Sequence, residues 1–72
     1  MTPVAPVLRN QIRKLRFEHG AMTQQALAER VLVTRQTIIA LKANQYAPSL
    51  LLAFRIAAEF GVPVEDVFQY AL

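Results

Sequence analysis

Few side chains in this 72-residue sequence could carry out covalent chemistry. It has no cysteine, so it offers no thiolate for nucleophilic attack or for zinc, and no disulfide to staple a fold. His19 is the one histidine and precedes Gly20 in what reads as an exposed turn. The sequence gives it neither an orienting partner nor a second metal ligand. Glu65 and Asp66 are the only adjacent carboxylates, and they follow Pro63, where acids commonly open a helix. No glycine-rich phosphate loop is present. No catalytic residue, metal site or cofactor is therefore expected, and the chain does not read as an enzyme.

Recognition chemistry is better represented. Arg35 and Gln36 fall in the first turn of a segment that opens at Thr34. An arginine there can reach guanine O6 and N7, and a glutamine can reach adenine N6 and N7. Thr23 and Thr34 both read as helix N-caps, and the free N–H groups of a helix start suit phosphate oxygens. The charge distribution points the same way. Met1 to Lys42 carries seven bases against two acids, whereas Ala43 to Leu72 carries one base against three acids. One half thus attracts polyanions, although an ordinary solvated surface would also account for these charges.

The elements that must position these groups are short helices. Turn signals at His19-Gly20, Val31 to Thr34, Asn44 to Ser49, and Gly61 to Pro63 divide the chain into five segments. The first, Val7 to Glu18, places Leu8, Ile12 and Leu15 at helical spacing, with Arg9, Arg13 and Arg16 as a basic stripe beside them. The second starts at Thr23 and keeps Ala26, Leu27 and Val31 on one side. The third runs from Thr34 to about Ala43, with Ile38 and Leu41 inward and Arg35, Gln36, Ile39 and Lys42 outward. The fourth, opened by Pro48-Ser49 and closed by Gly61, is apolar on most sides and reads as the buried centre. The fifth follows Pro63 and runs through Phe68. Strands are not indicated. The expected architecture is all-α, five helices in residues 7–72, with 1–6 a short tail.

An apolar content of 54% supports a real core in one domain. No apolar run approaches the roughly 20 residues that span a bilayer, and the opening has no charged n-region of a signal peptide, so a cytoplasmic location is expected.

Thr23 to Leu41 has the spacing of a helix-turn-helix: a short helix, three or four turn residues and a second helix. In this reading Ala28 lets the helices cross closely, Val33 plugs the turn, and Ile38 and Leu41 anchor the second helix. Packing explains those residues but not Arg35 and Gln36.

The sequence resembles the lambda-repressor-like, or Xre-type, helix-turn-helix regulators, in particular their minimal single-domain members. The resemblance runs from Leu8 to Phe68. It is carried by Ile12 to Arg16, Thr23-Gln24 with Leu27-Ala28, and Val33 to Ile38. Tyr46 to Leu50, Leu52-Ala53, Phe60 to Val62 and Val67-Phe68 complete it. It implies a transcriptional repressor that binds double-stranded DNA, commonly as a homodimer on an inverted repeat. Arg35, Gln36, Thr37 and Ile39 are then expected at base edges. Thr23, Gln24, Thr34, Arg13, Lys42, Asn44 and Gln45 are expected along the backbone. No membrane and no small-molecule ligand are implied.

Three positions depart from the family pattern. Leu32 replaces the usual glycine of the turn, where a positive φ would strain it. Ala21 lengthens the loop before Met22. Lys42 replaces a glutamate that commonly pairs with the arginine at Arg16, so either Arg16 finds another acid or the end of the recognition helix sits differently. At the C-terminal end Val62, Val64, Val67, Phe68, Tyr70 and Leu72 exceed what one short helix buries. Val64, Tyr70 and Leu72 are the expected dimer contacts. The competing reading is a protein-interaction module (an antitoxin, anti-repressor or adaptor), which exposed Ile39 and Leu51 would suit.

Overall fold

Thr23, Thr34 and Ser49 each accept a hydrogen bond from the backbone N–H three residues on, at 3.0, 3.3 and 3.1 Å. Each hydroxyl satisfies a donor that the helix geometry leaves orphaned, and so fixes where a helix begins. The computed structural model describes residues 7–43 and 47–71. Its elements are β1 (Val7–Asn10), α1 (Ile12–Glu18), α2 (Gln24–Val31), α3 (Arg35–Lys42), α4 (Leu50–Phe60), α5 (Val64–Val67) and β2 (Phe68–Ala71). The five expected helices are present. The expected tail 1–6, the backbone contacts Asn44 and Gln45, and the dimer contact Leu72 lie outside the described residues.

The two strands correct the sequence reading. The first helix begins at Ile12 rather than Val7, because Val7–Asn10 pairs antiparallel with Phe68–Ala71 in the register Leu8↔Tyr70 and Arg9↔Gln69. Asn10 enforces the boundary. Its Oδ1 accepts the Ile12 N–H at 3.2 Å while its Nδ2 donates to the Leu41 carbonyl at 2.6 Å. The Gln11 N–H donates to the Val67 carbonyl at 2.8 Å, which closes the sheet against α5. The basic stripe is broken accordingly, since Arg9 sits on a strand and Arg13 and Arg16 on a helix.

All five helices supply the core. Ile12, Leu27, Ala28, Ile38, Ile56 and Val67 have no exposed surface. The fourth helix is less enclosed than its composition suggests. It buries Leu52, Ala53, Ile56, Ala57 and Phe60, but Leu50, Leu51 and Phe54 remain 73, 60 and 53% exposed. Helices α2 and α5 pack against one side of it, and the side carrying Leu50, Leu51 and Phe54 is left exposed. None of the described helices is long and apolar enough to cross a membrane.

Leu32 is the C-cap of α2 and adopts φ 64°, ψ 43°, the left-handed conformation that favours glycine. Its side chain is 73% exposed, so it gains little from packing. Leu32→Gly should relieve roughly 1 kcal/mol of steric strain, partly offset by the greater entropy of the unfolded chain. We expect a rise in thermal midpoint of a few degrees, since 1 kcal/mol moves a domain of this size by about 4–8 °C. A fall in midpoint would mean that the exposed leucine makes a stabilising contact.

Candidate nucleic-acid interface

Helices α2 and α3 pack together, Ala28 on α2 is fully buried, and the Val33 N–H donates to the Ala28 carbonyl at 2.9 Å. Val33 packs against the core from the turn, while Ile38 (0% exposed) and Leu41 (2%) hold α3 down. The small residue, the plug and the two anchors thus occupy the places their types predict. The geometry is that of a helix-turn-helix.

With one side of α3 fixed, the other is presented outward. Arg35 and Gln36 are exposed in its first turn, and Thr37, Ile39 and Lys42 are half-buried. The Thr34 and Thr37 hydroxyl oxygens lie 3.1 Å apart, so the cap and the first turn are stiffened together. The N–H groups of Arg35 and Gln36 have no intrahelical acceptors, as at any helix start.

Beside this turn lies a cleft formed by the loop after α1, the start of α2 and the face of α3. Thr23, Gln24, Arg35 and Lys42, four of the residues singled out from the sequence, line it together with Arg16. Arg13 lines an adjoining cleft with Lys14 and Arg16. Gln36, Thr37 and Ile39 are not in either cleft; they belong to the outward face of α3. The acids Glu18, Glu65 and Asp66 gather around a separate depression with Lys14. Arg16, Arg35 and Lys42 thus line the cleft beside the exposed turn of α3, while three of the five acids lie at a separate depression.

Of the two alternatives for Arg16, another acid is not found among the described residues. Its Nη1 donates to the Met22 carbonyl at 2.9 Å, and the Met22 N–H donates to the Arg16 carbonyl at 2.9 Å. The loop lengthened at Ala21, which itself takes φ 54°, is folded back onto α1 by this reciprocal pair. Only Arg30 and Glu59, 2.7 Å apart, form an ion pair among the described residues. Sequence reasoning flagged Arg16 as a pairing problem and missed it as a lining residue of the cleft.

His19 also does more than the sequence suggested. Although exposed, it caps α1, with Nδ1 2.7 Å from the Leu15 carbonyl and Nε2 3.1 Å from the Phe60 carbonyl. Its ring lies against that of Phe60, with centroids 5.1 Å apart. A ring nitrogen donates to a carbonyl oxygen only where it carries a hydrogen, so the tautomer sets which of these contacts is a hydrogen bond. These contacts tie the ends of α1 and α4 together. Among the described residues no group of acids and histidine is placed to hold a metal ion.

Of the expected dimer contacts, Val64 is half-buried against the core and Tyr70 is 63% exposed on β2.

Comparison with known proteins places this geometry in a group. The helix-turn-helix family profile matches residues 12–67. A protein of Methanothermobacter thermautotrophicus is 56% identical over 62 residues, covering 85% of this chain and 88% of the relative. One of Methanocaldococcus jannaschii is 48% identical over 63 residues, covering 88% and 94%. One of Bacillus subtilis is 44% identical over 61 residues, covering 85% and 91%. All three are named as uncharacterised HTH-type transcriptional regulators. The crystal structure of a candidate DNA-binding protein from Bacteroides fragilis superposes with a TM-score of 0.74 at 24% identity, covering 86% of this chain and 98% of that one. At that identity the likeness speaks for the fold.

Proposed function

Because the chain belongs to the helix-turn-helix family of transcriptional regulators, we propose that it is a repressor that reads double-stranded DNA with α3 in the major groove. The observation that carries this reading is the exposed pair Arg35 and Gln36 at the start of a helix anchored from behind by Ile38 and Leu41. Arg35 and Gln36 take base edges, with Thr37 and Ile39 beside them on the same helix. Thr23, Gln24, Thr34, Arg13 and Lys42 take phosphates on either side. Its place of action is with the DNA, in the cytoplasm.

One such helix reads only a few base pairs. We therefore assign the protein a two-fold homodimer, whose paired helices enter successive major grooves about 34 Å apart on an inverted repeat. Tyr70 and Val64 are the contacts on the C-terminal side, and the exposed Leu51 and Phe54 offer further apolar surface. Sedimentation over micromolar concentrations should show a dimer for the wild type and a shift toward monomer for Tyr70→Ser. A point change is preferable to truncation, because Tyr70 belongs to the paired strand β2. A monomeric wild type would rule out a dimer formed before DNA binding.

The bare outer side of α4 favours a second reading, a protein-interaction module with DNA binding secondary. A mobility-shift assay at low salt separates the two. The regulator retards random-sequence duplex and a pure adaptor leaves it free.

A further inference from the structure

Among the described residues no large apolar side chain is more exposed than Phe17, at 78%. Phe17 does not stand alone. With Ala21 and Met22 from the loop after α1, it forms the apolar part of a cleft of about 510 Å³. Arg13, Lys14 and Arg16 supply basic groups to the same cleft. Helical spacing accounts for the combination. Arg13 precedes Arg16 by three residues and Phe17 by four, so two guanidinium groups and a ring share one face of α1. The loop is fastened as the facing wall. The Ala21 N–H donates to the Phe17 carbonyl at 3.2 Å, and Met22 is joined to Arg16 by two hydrogen bonds of 2.9 Å. No acid lines the cleft, and none of its three bases forms an ion pair. The Arg16 Nε is buried without a partner.

We infer that this cleft binds a small amphipathic organic anion, an aromatic or medium-chain carboxylate. Its apolar group lies on Phe17, Ala21 and Met22, and its carboxylate lies among Arg13, Lys14 and Arg16. A bare inorganic anion would leave the ring in water, and a neutral apolar molecule would leave the cations unanswered. Only a molecule with both ends matches both halves of the cleft. Its volume falls within the range of roughly 300–1,000 Å³ usual for small-molecule sites. Guanidinium–carboxylate hydrogen bonds are charge-assisted and among the strong ones. The site itself does not depend on DNA binding. Its consequence rests on the proposed function, in which Arg13 meets the DNA backbone. A bound carboxylate occupies Arg13 and brings negative charge beside the phosphates, so it weakens DNA binding.

NMR titrations of the full chain at constant ionic strength test the site with three probes. Phenylpropionate carries both halves of the match, phenylpropanol only the ring and propionate only the charge. Phenylpropionate should give saturable shifts of the Met22 methyl and Ala21 amide signals, whereas propionate should shift them no more than chloride does. Its affinity should exceed that of phenylpropanol at least about five-fold, and Phe17→Ser and Arg13→Gln should each lower it by at least about as much. Both side chains are exposed, so both variants keep the core intact. The site is overturned if phenylpropionate binds no better than phenylpropanol, or if either variant retains the wild-type affinity. Duplex retardation with saturating phenylpropionate then tests the consequence. The wild type should bind DNA more weakly, while Phe17→Ser, which is not among the residues assigned to DNA, should be insensitive. A wild type that binds the probe but no DNA supports the site and ends the functional reading. Unchanged DNA affinity with the probe bound supports the site and overturns its control of DNA binding.

Discussion

Arg35→Ala is expected to weaken binding to the preferred DNA site by about 5- to 150-fold, the equivalent of about 1–3 kcal/mol for a lost bidentate base contact. Gln36→Ala should cost a similar amount. Both side chains are exposed on the first turn of α3, so neither change removes core packing. Destabilisation of the fold therefore contributes little, and the loss should appear with the protein fully folded. Because base contacts specify and phosphate contacts position, the same variants should bind random-sequence DNA nearly as well as the wild type. Arg13→Ala, by contrast, should weaken preferred and random sites about equally. Competition titrations with the two kinds of duplex measure this. If Arg35→Ala weakens both alike, Arg35 is a backbone ligand like its neighbours in the cleft, and Gln36 is left as the reader.

Salt should have a larger effect still. Arg13, Arg16, Arg35 and Lys42 lie on two adjoining clefts beside α3, so three or four phosphates per subunit lie within reach of basic groups or helix starts. For a dimer, the release of counterions from that many phosphates gives a log–log slope of order −6. Raising salt from 50 to 200 mM should then weaken binding by roughly 10³- to 10⁴-fold. Fluorescence anisotropy across that range is sufficient to see it. A slope near zero is incompatible with binding through these cations.

The parts of this structure that were legible in advance are those decided by neighbours in the chain. Thr23, Thr34 and Ser49 cap helices because a hydroxyl reaches an N–H three residues away, an interaction wholly contained in a short segment. The strain at Leu32 was legible only through the resemblance, because the family usually carries glycine at that position of the turn. Elsewhere the deciding partner is distant. Leu8, Ile12 and Leu15 satisfy helical spacing, but Leu8 is held by Tyr70, at the far end of the chain. Neither strand alone has enough alternation to announce itself, and together they form a ladder only after the helices have brought their ends close. The role of His19 depends on the carbonyl of Phe60, 41 residues away. The apolar outer side of α4 was misjudged because composition tells how much surface seeks cover, not how much cover five short helices provide.

The same division holds for the candidate site. The exposure of Arg35 and Gln36 could be read because the orientation of α3 follows from its inward residues, Ile38 and Leu41. That Arg16 joins Arg35 and Lys42 in one cleft could not be read from spacing. It depends on the fold-back of the loop at Met22, fixed by a pair of hydrogen bonds with Arg16 itself. The one available signal was that Lys42 stands where the resembling family usually has the glutamate that pairs with the arginine at Arg16.

Selection of bound sites from a random duplex pool shows whether α3 reads base sequence in duplex DNA. We expect enrichment of one consensus made of two inverted half-sites about one helical turn apart, and loss of the enriched bases when Arg35→Ala and Gln36→Ala are used in the selection. A pool that remains random after repeated rounds with folded wild-type protein would contradict it.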